Sequence, residues 1–156
     1  GAADLSGPDA HRKVDTVIAR FAGDAGIPGL PAMMRDIDRC FSADTLAEIV
    51  AALKKRGGEW ADKQLAALMK LSPLSMAITL EQLKRCANRS FEDAMTIEYR
   101  MSQRCMQKDH DFFEGVRALL IDKDQKPKWN PAAIEGVTRE MVDAHFLPVQ
   151  NDLKFD

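Results

Sequence analysis

The residues best suited to bind a charged ligand are three lysines close to a tryptophan. Lys123, Lys126 and Lys128 fall in the segment DKDQKPKW, which ends at Trp129. They follow a stretch with helical periodicity, and a helix dipole favours cations at its C-terminal end, so capping and solvation explain these lysines. Lysines also pair with phosphates and an indole offers a flat apolar face, so the same residues suit an anion site. The residue pattern leaves both interpretations open.

The histidines show no local pattern typical of a metal site or of acid–base catalysis. His11, His110 and His145 are far apart in the chain and do not combine with cysteines or carboxylates at zinc-type spacing. His110 precedes Asp111 at the start of a helix, where a histidine is more often solvent-exposed or a capping residue than a proton-transfer group. We therefore predict no metal site and no catalytic residue in this chain.

Cysteines and methionines fall within helical patterns and are predicted to pack as apolar side chains. The three cysteines, Cys40, Cys86 and Cys105, are an odd set, which favours a reducing compartment over a disulfide framework. A buried thiol behaves as a small hydrophobic group, and the eight methionines share stripes with leucines. We expect both residue types in the core, the alternative being an adaptable binding surface lined by methionine.

The glycine-rich segment near the N-terminal end is predicted to be a linker. GDAGIPG lacks the lysine and the serine or threonine of a phosphate-binding loop, and it follows a helical pattern rather than a strand. No serine stands in a G-x-S-x-G turn. Residues 23–31 are therefore interpreted as a hinge.

The apolar residues recur with helical periodicity along nearly the whole chain, which predicts an all-α fold. Capping residues mark the helix starts. These are Asp9, Thr45 with Glu48, Ser72 before Pro73, Ser90, and Asp111 with Glu114. Residues 1–9 are expected to be flexible and 10–156 to form a helical domain. A short helix is expected near 138–145, within a tail that is irregular from residue 124.

Length and charge restrict the classes of partner. A chain of 156 residues is long enough for one domain with a substantial core. The net charge of −2 gives the whole molecule no attraction for nucleic acid or an acidic membrane, and no long apolar run indicates membrane insertion. We expect neither nucleic acid nor membrane as a partner.

Five stretches, in this order and at similar spacing, resemble the C-terminal half of 3-hydroxyisobutyryl-CoA hydrolases. They are CFSADTLAEIVAAL, SPLSMAITLEQLKR, MTIEYRMSQRCM, HDFFEGVRALLIDKDQKPKW and NDLKF. These hydrolases are part of the crotonase superfamily of enoyl-CoA hydratases and isomerases. The resemblance implies a multi-helix C-terminal domain without the N-terminal spiral of β-β-α turns.

That spiral supplies the oxyanion-binding backbone N–H groups and the acidic residues of the family. The resemblance therefore implies that this chain is a fragment, not catalytic alone, which acts as a lid and docking domain for an acyl-CoA thioester hydrolase of valine catabolism. Coenzyme A would be present as part of the substrate, with no covalently bound cofactor. The alternatives are the C-terminal part of an enoyl-CoA hydratase or isomerase, and a non-catalytic assembly protein derived from the family.

The resemblance also implies a coenzyme A site after the helix that contains Glu114 and Gly115. Many hydratases have an acidic-Lys-Arg sequence there, and here Lys123 is followed by Asp124. Lys126 and Lys128 are the other candidates for contacting the phosphates. The expected partners are the missing N-terminal catalytic domain, the acyl-CoA substrate and, through exposed apolar surface, a second copy of the chain. The implied location is the cytoplasm in a bacterium or the mitochondrial matrix in a eukaryote.

Overall fold

The computed structural model describes residues 7, 9–24 and 26–155, and among these residues all regular structure is helical. The α-helices are α1 (Ala10–Ala19), α2 (Met34–Phe41), α3 (Leu46–Arg56), α4 (Gly58–Leu68), α5 (Pro73–Cys86), α6 (Phe91–Cys105), α7 (Asp111–Val116) and α8 (Arg139–Ala144). A π-helical turn, Arg117–Ile121, continues α7, and 3-10 turns occupy Leu30–Met33 and Ile134–Gly136. The predicted all-α class is confirmed. None of the described helices is long and apolar enough to cross a membrane.

The chain divides into two compact units, residues 1–35 and 36–156. In the first unit, α1 buries none of its residues, and Asp9 occupies the N-cap position without a side-chain capping bond. Its carboxylate pairs instead with Arg12 at 3.3 Å. Most of the predicted flexible start, residues 1–6 and 8, lies outside the described residues. The predicted hinge at 23–31 remains a prediction.

Helix starts in the second unit follow the capping residues of the sequence. Thr45 and Glu48 form the predicted capping box, since the Thr45 hydroxyl accepts from Glu48 N–H at 3.2 Å and the Glu48 carboxylate accepts from Thr45 N–H at 3.0 Å. Ser72 and Ser90 cap α5 and α6 by accepting N–H bonds at 3.0 and 3.1 Å. Gly57 ends α3 with φ of 59°, a conformation that suits glycine.

The predicted capping box at Asp111 and Glu114 is wrong. His110 is the N-cap of α7, and its Nδ1 accepts from Phe112 N–H at 3.1 Å. The Asp111 carboxylate is directed to Ser72 and Asn130 instead, and the Glu114 carboxylate to Arg117 and Lys128. Capping was one of the two ordinary roles expected of His110, whereas the partners of Asp111 and the Lys128 partner of Glu114 are distant in sequence and have no local signature.

Two buried clusters form the core of the second unit. The first joins α2, α3 and α4 and consists of Cys40, Ile49, Leu53 and Ala61. The second joins α5 to α8 and consists of Leu74, Ile78, Val142 and Phe146. Arg85 of α5 also lies over the Phe146 ring, 4.2 Å from its centroid. These contacts place α8 against α5 and so fix the position of His145, the residue that follows α8.

The predicted burial of the methionines is wrong for most of them, although Met101 packs against the second cluster. None of the eight is buried, and Met69 and Met106 are 56% and 55% exposed. Cys40 is fully buried as predicted, but Cys86 and Cys105 are only partly buried. An apolar stripe on a helix can face a docking surface as well as a core, and periodicity alone does not distinguish the two. Met69 and Met76 line an open groove rather than the interior.

Candidate functional site

The second unit contains an open, mainly apolar groove of about 1490 Å³. It runs between α5, α7 with its π-helical turn, and the segment around Trp129. Its walls include Leu46, Leu68, Met76, Leu80, Leu83 and Val116. A groove of this size with apolar walls is typical of a surface that binds either a ligand or another protein segment.

Several large apolar side chains that line the groove are unusually exposed. Leu83 and Leu120 are 67% and 68% exposed, and Leu119 is 57% exposed. Leaving a leucine in water forgoes about 1.5–3 kcal/mol relative to burying it. Several such residues around one concavity are typical of a surface that binds a ligand or a partner segment.

One side of the groove is fixed by a buried carboxylate. Asp111, only 5% exposed, accepts a hydrogen bond from the Ser72 hydroxyl at 2.5 Å and another from Asn130 N–H at 2.8 Å. Ser72 is also buried and caps α5. One carboxylate thus connects the start of α5, the start of α7 and the segment after Trp129. Because each of its carboxylate oxygens accepts one of these hydrogen bonds, Asp111 has a structural role and holds the three segments together.

A second carboxylate, Glu114, holds the segment 122–128 against α7. It pairs with Arg117 at 2.8 and 2.9 Å and accepts from Lys128 N–H at 2.6 Å. The hydrogen bonds from Arg117 and then from Lys128 lower the pKa of Glu114 to about 2. Arg117 also binds Asp122 at 2.6 Å and Asp124 at 2.8 Å. Asp122 and Asp124, on either side of Lys123, therefore neutralise Arg117, and none of the described ion pairs includes the Lys123 or Lys126 ammonium group.

Trp129 is an anchor for this segment. Its indole N–H donates to the Lys70 carbonyl at 3.1 Å, and its ring lies against Gly115. A Cβ at Gly115 would stand 3.4 Å from the indole, an ordinary van der Waals contact, so the ring packs closely on α7 and an alanine would also fit there. The ring is partly buried by these contacts. Trp129 also lines the groove, so the use of its apolar face in an anion site stays a prediction.

The structure separates the three candidate lysines. Lys128 lines the groove, whereas Lys123 and Lys126 are exposed and are not among its lining residues. Lys123 has φ of 55° in the loop that folds around Arg117. Of the three predicted residues, Lys128 is therefore the one that the fold brings to the groove.

Sequence reasoning missed a cluster formed by Cys105, His110 and His145. Their ligand atoms all lie within 4.8 Å of one another, and the two Nε2 atoms are 3.0 Å apart. Cys105 ends α6, His110 caps α7 and His145 follows α8. Cys105 and His110 are close in sequence, which is a weak local indication of a shared site. The approach of His145 depends on tertiary packing.

Hydrogen bonds fix the tautomers of the two rings. His110 Nδ1 accepts from Phe112 N–H, so the ring proton of His110 lies on Nε2. His145 Nδ1 lies 2.8 Å from the Met141 carbonyl oxygen, which can only accept, so His145 carries its proton on Nδ1. His110 therefore donates to His145. Burial lowers the pKa of His110, with a further contribution from His145, and burial raises the pKa of the Cys105 thiol.

A family model for enoyl-CoA hydratase/isomerase matches residues 2–146. The chain belongs to this family. Among its relatives, the mitochondrial 3-hydroxyisobutyryl-CoA hydrolase of Gallus gallus is 53% identical over 122 residues, covering 78% of this chain and 31% of the relative. The Homo sapiens hydrolase is 48% identical over 123 residues, covering 78% and 32%. The resemblance to these hydrolases is confirmed, and the chain spans about a third of their length.

Solved structures of family members have the same helical arrangement. A carnitinyl-CoA dehydratase from Mycobacterium thermoresistibile has a TM-score of 0.83 at 34% identity, covering 98% of this chain and 44% of that one. An enoyl-CoA hydratase from Rhodobacter sphaeroides has a TM-score of 0.77 at 35% identity, covering 93% and 45%. These enoyl-CoA hydratase/isomerase folds are thus at least twice as long as the part that this chain matches.

Proposed function

We propose that this chain is the lid and docking segment of an acyl-CoA thioester hydrolase that acts on 3-hydroxyisobutyryl-CoA, and that it does not catalyse the reaction alone. The observation that carries the docking role is the open apolar groove with its exposed leucines. The identity of 53% to a hydrolase named for this substrate supports the choice of reaction.

The occupant of the groove, in this proposal, is the remaining segment of a full-length hydrolase. The hydrolases that the chain matches are about three times as long as the matched region, so they contain ample chain to cover this surface. Covering the groove would bury Leu83, Leu119 and Leu120 and exclude water from a thioester bound there. Exclusion of water strengthens the electrostatic interactions with an oxyanion.

The groups that catalyse hydrolysis would come from the remaining segment of the full-length hydrolase. Water or a carboxylate attacks the thioester carbonyl, and preorganised N–H donors hold the oxyanion that develops. The one buried carboxylate among the described residues of the groove, Asp111, is occupied by Ser72 and Asn130. This chain would instead position the substrate, with Lys128 at the groove and Lys126 and Lys123 beyond it as cations for the coenzyme A phosphates.

A chimaera tests this function. The 122 matched residues of the Gallus gallus hydrolase would be replaced by those of this chain, and hydrolysis of 3-hydroxyisobutyryl-CoA would be followed by release of the coenzyme A thiol. We expect hydrolysis by the chimaera and none by this chain alone. Turnover by the isolated chain, or a folded chimaera without hydrolysis, would contradict the proposal.

The lysines are tested in the same chimaera. Lys128→Gln is expected to raise KM several-fold while kcat stays nearly constant, because a phosphate contact contributes equally to the ground state and the transition state. Lys123→Asn, which tolerates the positive φ, and Lys126→Gln should have smaller effects. Lys55→Gln, on the exposed surface of α3, is the control. A fall in kcat at unchanged KM would assign Lys128 a different role.

The neighbouring solved structures favour one alternative, the C-terminal part of a hydratase or dehydratase. The chimaera distinguishes the two, since replacing a hydrolase segment by a hydratase segment would impair hydrolysis. A non-catalytic assembly role and self-association through the groove also remain predictions. If the source is a eukaryote, the mitochondrial relatives favour a location in the mitochondrial matrix.

A further inference from the structure

The cluster of Cys105, His110 and His145 has no role in the docking proposal. Its three ligand atoms come from three helix ends and lie within 4.8 Å of one another. A tetrahedral zinc ion with bonds of about 2.0–2.3 Å requires neighbouring ligand atoms about 3.3–3.8 Å apart. The two imidazole nitrogens, 3.0 Å apart, are already near this spacing, and rotation of the Cys105 side chain would complete it.

We propose that Cys105, His110 and His145 bind a divalent metal ion of the zinc class. One thiolate and two imidazoles are the ligands that zinc prefers, whereas magnesium and calcium require oxygen ligands. The three residues leave a fourth coordination position. His110 and His145 both line a cavity of about 280 Å³, which Cys105 does not line, so a solvent molecule can reach the histidine side of the cluster.

Coordination changes the protonation of the cluster in a defined way. The Cys105 thiol releases its proton to the buffer and binds as thiolate. His145 already has its proton on Nδ1, held by the Met141 carbonyl, so its Nε2 lone pair is available. His110 must move its proton from Nε2 to Nδ1, which ends both its hydrogen bond to His145 and the one that it accepts from Phe112 N–H. These two hydrogen bonds are a small loss beside three metal–ligand bonds.

The expected consequence of binding is structural. The ion would join the end of α6, the start of α7 and the residue after α8, and so hold the side of the groove that contains His110. A ligand that binds only the folded state raises the stability of that state. The proposal is independent of which thioester the full-length protein uses.

Cobalt(II) is the probe, added to the reduced chain without oxygen. We expect one equivalent to bind, with a thiolate-to-cobalt charge-transfer band and visible tetrahedral bands, both displaced by zinc. Loss of an outer hydrogen-bonding partner already lowers metal affinity about 10–100-fold, so removing a ligand in Cys105→Ser or His145→Asn should lower it by at least about 100-fold. Cys86→Ser and His11→Asn, outside the cluster, should bind as the unchanged chain does.

A second measurement needs no variant. Zinc should slow alkylation of Cys105 relative to Cys86 in the unchanged chain, measured by mass spectrometry of the modified peptides. Absence of the charge-transfer band, retention of full affinity in Cys105→Ser, or equal alkylation of the two cysteines with and without zinc would each overturn the proposal.

Discussion

Asp111→Ala is expected to lower the free energy of unfolding by about 2–4 kcal/mol, because the buried Ser72 hydroxyl and Asn130 N–H both lose their acceptor. The carboxylate joins three segments that are distant in sequence, so its loss also loosens the start of α5 and the start of α7. Denaturant unfolding followed by circular dichroism measures the change.

Two variants control this experiment. Asp62→Ala removes an exposed carboxylate from α4 and should change the free energy of unfolding by less than about 0.5 kcal/mol. Asp111→Asn keeps an acceptor for Asn130 N–H and should give an intermediate loss. If Asp111→Ala is as stable as Asp62→Ala, the buried network is not what holds these helices together.

Leu120→Asp is expected to weaken association with the remaining segment of the hydrolase by at least about tenfold, since a charge in a buried contact must be desolvated. Leu120 is 68% exposed in this chain and lines the groove, so the substitution should leave the chain itself folded. Association would be measured by titration calorimetry with the Gallus gallus segment outside the match.

Leu147→Asp is the matched control, since Leu147 is also exposed, at 55%, and does not line the groove. It should associate nearly as the unchanged chain does. Equal weakening by the two substitutions would show that the groove is not the docking surface. Sedimentation of both variants would also show whether self-association uses the groove.

The fold was largely predictable because its helix starts are local. Thr45, Ser72 and Ser90 each accept a hydrogen bond from the backbone N–H of the residue three positions later, and this pattern can be read from neighbouring letters of the sequence. Asp111 has the same spacing to Glu114, yet its partners are 39 and 19 residues away. A capping residue and a buried carboxylate with distant partners have the same local pattern.

The candidate site was less predictable for the same reason. The sequence indicated the lysines near Trp129, but only tertiary packing distinguishes Lys128, at the groove, from Lys123 and Lys126. Likewise, His145 lies 35 residues after His110, and the packing of α8 on α5 brings the two rings together. Spacing rules detect ligands that share a helix or a loop, and this cluster is assembled from three helix ends.

The docking claim is tested most directly by mixing this chain with the separately purified segment of the Gallus gallus hydrolase that lies outside the match. We expect a one-to-one complex that hydrolyses 3-hydroxyisobutyryl-CoA, while neither part does so alone. If the two folded parts do not associate, or if this chain hydrolyses the thioester by itself, the docking proposal is wrong.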